Sequence, residues 1–228
     1  MRRFAYTTAV LLTGLLLGGS PSAAPSPQPS AEQTIDLADR LTTGKLRAVN
    51  REVSAVTGGR RGVHLDAKPG NGVAWIEGGT DFGDGTIELD VRGKDAFQQS
   101  FLGVAFHGKD DNTYEAVYLR PFNFRAEDPT RHQHAVQYIS LPEYDWPRLR
   151  KEFPEEFENP VDPSVSPTEW VPLRVVSKGQ TIQVFVGAVK TPTLEVRKLG
   201  SLGRGLVGLW VGNTSDGDFA NLRITPTK

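Results

Sequence analysis

Between residues 85 and 124, apolar and polar positions alternate in three successive runs. Ile87, Leu89 and Val91 are interleaved with Glu88, Asp90 and Arg92 in the first. Leu102, Val104 and Phe106 are interleaved with Phe101, Gly103, Ala105 and His107 in the second, while Tyr114, Ala116, Tyr118 and Arg120 share one side of the third. A period of two is the pattern of a half-buried antiparallel strand. The stretch therefore predicts strands over 86–92, 101–107 and 113–120. As neighbours in one sheet they would give it a greasy face and a second face carrying acids, a histidine, tyrosines and arginines among small residues. That second face is the expected floor for a ligand.

Similar runs predict strands at 62–66 and 72–77, joined by the turn-forming Lys68-Pro-Gly-Asn-Gly72, and at 135–140, 170–177, 181–187, 194–199, 206–212 and 219–225. Lys178-Gly179 reads as a tight hairpin turn. The pattern is weak over 34–50, with a short helix or irregular segment at 37–41. Residues 141–167 form the longest irregular section, with a turn of helix within 147–158. Its Tyr144, Trp146, Phe153 and Phe157 predict an ordered loop, and a loop this long in a compact domain is usually functional. Short strands, frequent turns and little helix define an all-β fold, here a two-sheet jelly-roll sandwich in one domain.

Composition changes the picture at the beginning of the chain. Of the 228 residues none is cysteine, and 26 bases face 27 acids. Arg2 and Arg3 precede an apolar run to Leu17 and then small residues, the grammar of a secretory signal peptide. The expected division is a signal peptide over 1–24, a Pro/Ser-rich tether and lead-in over 25–44, and the sandwich over 45–228, with a secreted or periplasmic destination and a bacterial source. Cleavage would remove two arginines and leave a charge more negative than −1. That balance argues against nucleic acid as a partner, and against membrane insertion once the leader is gone. The lack of cysteine excludes thiol catalysis and thiolate metal sites.

The series GTIELDVRG, SFLGVAFHGKDDNTYEAVYLRPFNF, HAVQYISLPEYDW, EW and GLVGLWVGNTSDGDFANLRI resembles the concanavalin A-like lectin/glucanase superfamily. Within it, the chain is similar to bacterial secreted domains of the 3-keto-disaccharide hydrolase-like kind. The resemblance runs from about residue 45 to the end. It implies a jelly roll, a carbohydrate partner and either glycan binding or glycoside hydrolysis, with a non-catalytic surface or assembly role as a further alternative. It implies no cofactor beyond a structural calcium ion, for which Asp81, Asp84, Asp216 and Asp218 would supply oxygens; Asp-Gly pairs are more often simple turns.

Two carboxylates one residue apart, Glu88 and Asp90, have Cα atoms about 6.5–7 Å apart on one strand face. Retaining glycosidases hold their carboxyl groups about 5–5.5 Å apart, within reach of leaning side chains. They are the candidate acid and base, with His107 as assistant. The family-16 glucanases carry a third acid at the next same-face position; Arg92 stands there in this chain. Arg92, Tyr118, Arg120 and Gln137 are candidate ligand-binding groups, since planar polar groups bond vicinal hydroxyls. Tyr144 and Trp146 on the long loop are candidate platforms under sugar rings. The alternative for the same residues is a charged strand face and a buried polar network. His132-Gln-His134 has no evident third ligand, so a metal site is not expected there. Trp75, Trp170 and Trp210 are expected to serve packing.

Overall fold

The computed structural model describes residues 31–79 and 81–227. The expected signal peptide and the tether as far as residue 30 lie outside them. The strands are β1 (Gln33–Ile35), β2 (Leu46–Val49), β3 (Val53–Ala55), β4 (Gly62–Leu65), β5 (Gly72–Ile76), β6 (Gly85–Arg92), β7 (Leu102–Gly108) and β8 (Tyr114–Leu119). They continue with β9 (Val136–Leu141), β10 (Glu158–Asn159), β11 (Val171–Lys178), β12 (Thr181–Val186), β13 (Leu194–Arg197), β14 (Leu206–Val211) and β15 (Gly217–Pro226). Three short helices, α1 (Leu37–Thr42), α2 (Pro129–Gln133) and α3 (Trp146–Glu152), lie between them.

The strands form two antiparallel sheets. Sheet one runs β13-β12-β11-β6-β15-β4-β3, with β1 also paired to β15; sheet two runs β10-β9-β8-β7-β14-β5-β2. This is the jelly-roll sandwich that the strand pattern predicts. The folded unit also reaches further back than residue 45. β1 pairs with β15, and Ile35 and Leu37 join the core, so the weakly patterned lead-in is part of the domain.

The two sheets differ in how they are buried. β6 alternates buried and half-buried residues along its whole length, as expected for a sheet with one face toward solvent. β7, β8 and most of β9 are buried at nearly every position, so the middle of sheet two is covered on both faces. Leu102, Val104 and Phe106 turn toward sheet one; any methyl placed on Gly217 of β15 would stand 2.9 Å from Leu102 Cδ1. The opposite face carries the small residues Gly103, Ala105, Ala116 and Gly208, with Trp75, Tyr118 and Trp210 among them.

One expectation fails at this level. β6 is flanked by β11 and β15, whereas β7 and β8 pair in the other sheet. The chain crosses between sheets over 93–101 instead of turning back on itself. Glu88, Asp90 and Arg92 therefore do not share a face with His107, Tyr118 or Arg120.

Candidate functional site

The site grows out of one row of paired residues across sheet two. Glu158 in β10 pairs with Gln137, Gln137 with Tyr118, Tyr118 with Gly103, and Gly103 with Trp210. All five point to the face away from sheet one. With no side chain between them, Tyr118 and Trp210 meet over Gly103, their ring centroids 4.7 Å apart. A Cβ on Gly103 would lie 2.0 Å from the Val117 carbonyl oxygen, so only glycine fits.

Arg120, the residue after β8, is 4 % exposed and anchors one end of this row. Its Nη2 donates to the Tyr118 hydroxyl at 2.9 Å and to Gln137 Oε1, and its Nη1 donates to the His134 carbonyl at 3.0 Å. Tyr118 in turn donates to Gln137 Oε1 at 3.1 Å. Glu158, 2 % exposed, lies beneath. It accepts from Arg150 Nε at 3.0 and 3.2 Å and from Arg150 Nη2 at 2.9 Å, and stands 3.6 Å from Arg120 Nη1. His134 Nδ1 is 2.7 Å from Glu158 Oε1 without completing a hydrogen bond. Burial lowers the Arg120 pKa and pushes the Tyr118 phenol up to about 12. Burial also holds His134 below its ordinary value, with Arg150 and Arg120 adding to the depression and Glu158 opposing it.

Above these groups opens a cleft of about 480 Å³. Tyr118, Trp210, Phe101 and Phe122 line it together with Arg120, Asn123 and His134. Arg131 from α2, Trp146 and Arg150 from α3, and Phe97 and Gln98 from the crossover complete much of the rim, with Asn71 and Asn213 also lining it. α3 begins at Asp145, whose carboxylate accepts from the Trp146 backbone N–H at 2.7 Å. Pro147 is tolerated because first-turn N–H groups have no helical partner, and the buried Leu149 seats the helix. Asp128 caps α2 by accepting from Arg131 N–H at 3.0 Å.

Phe97 is 55 % and Trp146 44 % exposed, and among the described residues these are the exposed large hydrophobic side chains. Both line this one cleft. Each carries a guanidinium on its ring: Arg131 Cζ lies 4.6 Å from the Phe97 centroid and Arg150 Cζ 5.1 Å from that of Trp146. Arg120 Cζ is likewise 4.9 Å from the Tyr118 centroid.

The structure brings Tyr118, Arg120, Gln137 and Trp146 together and sends the other sequence candidates elsewhere. Glu88 pairs with Arg223 at 3.3 Å on sheet one. Asp90 accepts from Arg60 at 2.9 Å and from Asn221 Nδ2 at 2.7 Å. Asn221 has a φ of 55°, where β15 bulges against β6, so Asp90 holds that bulge. Arg92 is paired with Asp218 at 2.6 and 2.8 Å and lies 4.9 Å from the Trp170 centroid. Tyr144 sits under Arg148, 4.5 Å away, and does not line the cleft.

His107 is fully buried, not on a ligand face. Its φ of 52° breaks the alternation where β14 slips register against β7. Its ring bonds Glu115 Oε2 and stands 3.0 Å from the Gly83 carbonyl. Glu115 also accepts from the Tyr138 hydroxyl, which accepts from Leu199 N–H at 3.1 Å. Burial, followed by the Glu115 charge, raises the Tyr138 pKa. This is a polar tie from sheet two to the segments flanking sheet one.

The aspartates considered for calcium are paired with basic side chains. Asp216 pairs with Lys94, Asp218 with Arg92 and His64, Asp84 with Lys198, and Asp81 with Arg204. Among the described residues no group of three or more acids and histidines is placed to hold a metal ion. These residues do not fit calcium.

The fold is that of the lectin-like β-sandwiches. No family model matches the chain, and no curated protein matches it in sequence. Among solved structures, it is similar to the carbohydrate binding module CBM66 from Bacillus subtilis, with a TM-score of 0.55 at 15 % identity over 78 % of this chain and 94 % of that one. A Bacillus subtilis protein of unknown function with a galectin-like fold gives a TM-score of 0.57 at 14 % identity over 89 % and 99 %. Domain 4 of AbnA, a GH43 extracellular arabinanase from Geobacillus stearothermophilus in complex with arabinotriose, gives 0.52 at 12 % identity over 89 % and 94 %.

Proposed function

We propose that this chain is an exported carbohydrate-binding domain that holds a glycan in the cleft on the outer face of sheet two. The observation that carries this reading is the placement of Phe97 and Trp146. Exposing a large aromatic side chain forfeits hydrophobic stabilisation, yet both of these stand at the rim of one polar-floored hollow. Aromatic rings beside planar hydrogen-bonding groups suit the apolar faces and hydroxyls of a sugar. The solved neighbours include a carbohydrate binding module and a domain in complex with arabinotriose, which supports the same class of partner. The leader-like segment supports a secreted or periplasmic location, and no described helix is long and apolar enough to cross a membrane.

The resemblance to 3-keto-disaccharide hydrolase-like domains raises hydrolysis as the alternative. A glycosidase of the common type needs two carboxyl groups flanking one bond. Glu88 and Asp90 lie on the other sheet, and the acid beneath the cleft, Glu158, is committed to Arg150. Binding without chemistry is the better-supported reading.

Titration of the full chain with a panel of oligosaccharides, followed by tryptophan fluorescence, tests it, because Trp146 and Trp210 both line the cleft. Trp146→Ala is expected to weaken binding by about 1–3 kcal/mol, roughly 5- to 150-fold. Undiminished affinity in this variant would remove the cleft from consideration. Product analysis of the bound glycan after prolonged incubation is expected to show no cleavage, and turnover would restore the hydrolase.

A further inference from the structure

From the same cleft, and resting on the carbohydrate reading above, we infer that the glycan it takes carries a carboxylate on the sugar ring bound there: a uronic-acid type of unit. Three guanidinium groups, those of Arg120, Arg131 and Arg150, line the hollow, and no aspartate or glutamate does. Glu158 lies beneath them, almost fully buried, and its two oxygens are already committed to Arg150. With the Asp145 carboxylate included, whose charge reaches Tyr118 as that of Glu158 does, two acids against three guanidiniums still leave the cleft positive, in a chain whose overall charge is −1. A concave site with low-dielectric walls concentrates such a field.

The chemistry of the lining points the same way. A neutral sugar presents hydroxyls, which both donate and accept, and is well served by carboxylate acceptors. This lining is instead rich in cationic groups: Arg120 is bonded to Tyr118, Gln137 and the His134 carbonyl and Arg150 to Glu158, while Arg131 Nε is buried without a hydrogen-bond partner and calls for an acceptor from the ligand. Guanidinium groups match a carboxylate in shape as well as charge. Arg131 and Arg150 are placed for this role: they belong to separate short helices, and each lies against a rim aromatic. A ring resting on Phe97 or Trp146 would therefore have a guanidinium within reach of its substituents. Amides from Asn71, Gln98 and Asn213 remain for neutral hydroxyls.

The test is a glycan array of neutral, carboxylated and sulfated oligosaccharides probed with the full chain. The best carboxylated hit is then compared with its carboxyl-reduced form by calorimetry at low and high salt. Carboxylated glycans are expected to dominate the hits. Carboxyl reduction is expected to weaken binding at least about tenfold, with the gap narrowing at high salt. Arg131→Gln should bring the acid-to-reduced preference below about threefold, and Arg131→Lys should retain part of the preference. Hits confined to neutral glycans, or equal affinity before and after reduction, overturn the carboxylate inference and leave the carbohydrate reading standing. A preference for sulfated over carboxylated glycans overturns the carboxylate assignment in the same way. No binding to any class removes the carbohydrate reading and this inference together.

Discussion

Replacing Glu158 by Gln removes the negative charge around which the cleft floor is built. Its carboxylate faces Arg150 at 2.9–3.2 Å and Arg120 at 3.6 Å, with His134 at 2.7 Å. Removing one partner of a buried ion pair costs about 3–5 kcal/mol, because the remaining charge stays desolvated and uncompensated. Two features push the expected cost to the low end. Arg150 is partly exposed, so water takes over some of the carboxylate's role. The Gln carbonyl also still accepts one hydrogen bond. Arg120 has no such relief, being buried and otherwise bonded only to neutral groups. A loss of about 3 kcal/mol follows. For a domain of this size that is roughly 6–12 °C in Tm. Urea unfolding should show a lower midpoint with an unchanged slope, since the surface exposed on unfolding is the same. A variant within about 0.5 kcal/mol of the parent would show that the guanidiniums do not depend on Glu158, and the account of the floor's charge would fail.

Gly208→Ala tests the outer face of sheet two: the new methyl would stand 2.7 Å from the Trp75 ring, and overpacking of this kind costs about 1–3 kcal/mol, read by calorimetry. An unchanged Tm would mean that Trp75 yields easily. His134 should make stability depend on pH. Its folded pKa lies below the unfolded value near 6.5, so on acidification the unfolded chain takes the proton first and stability falls below about pH 6.5. His134→Gln should flatten that part of the stability profile, and parallel profiles would refute the assignment. Tyr138→Phe should cost about 1–3 kcal/mol by taking a donor from buried Glu115 and an acceptor from Leu199 N–H; urea midpoints decide it, and a neutral result would deny the polar tie between the sheets.

What the sequence made legible and what it hid have one physical origin. Alternation reports which side of a strand is apolar, not which strand lies next to it. The periods of β6, β7 and β8 were each readable, and so was the sandwich. Their adjacency was not, because the 93–101 connection crosses between sheets and β6 finds its neighbours far along the chain, at β11 and β15. A connection that long was itself a warning, since two-residue loops are the commonest hairpin links. His107 misled for a related reason: a positive φ and a register slip turn the side chain off the row that simple alternation assigns it. Tyr118, Arg120 and Gln137 could be grouped because β8 and β9 do pair in sequence order. Trp210 could not join them, since it arrives on β14 and reads as core by its apolar neighbours. Arg131, Arg150 and Phe97 sit in segments with no period at all. They become a site only because two short capped helices and one crossover converge on the cleft that Tyr118 and Trp210 line. The convergence also accounts for the cleft's chemistry: the strands contribute a desolvated floor whose polar groups bond mainly to one another, and the loops bring the aromatic and cationic groups left accessible at the rim. On the proposed function, a ligand would therefore be read mainly by the segments whose pattern is weakest. Specificity should change through substitutions at Phe97, Arg131, Trp146 and Arg150 more readily than through changes to the row from Glu158 to Trp210, where folding and binding are lost together.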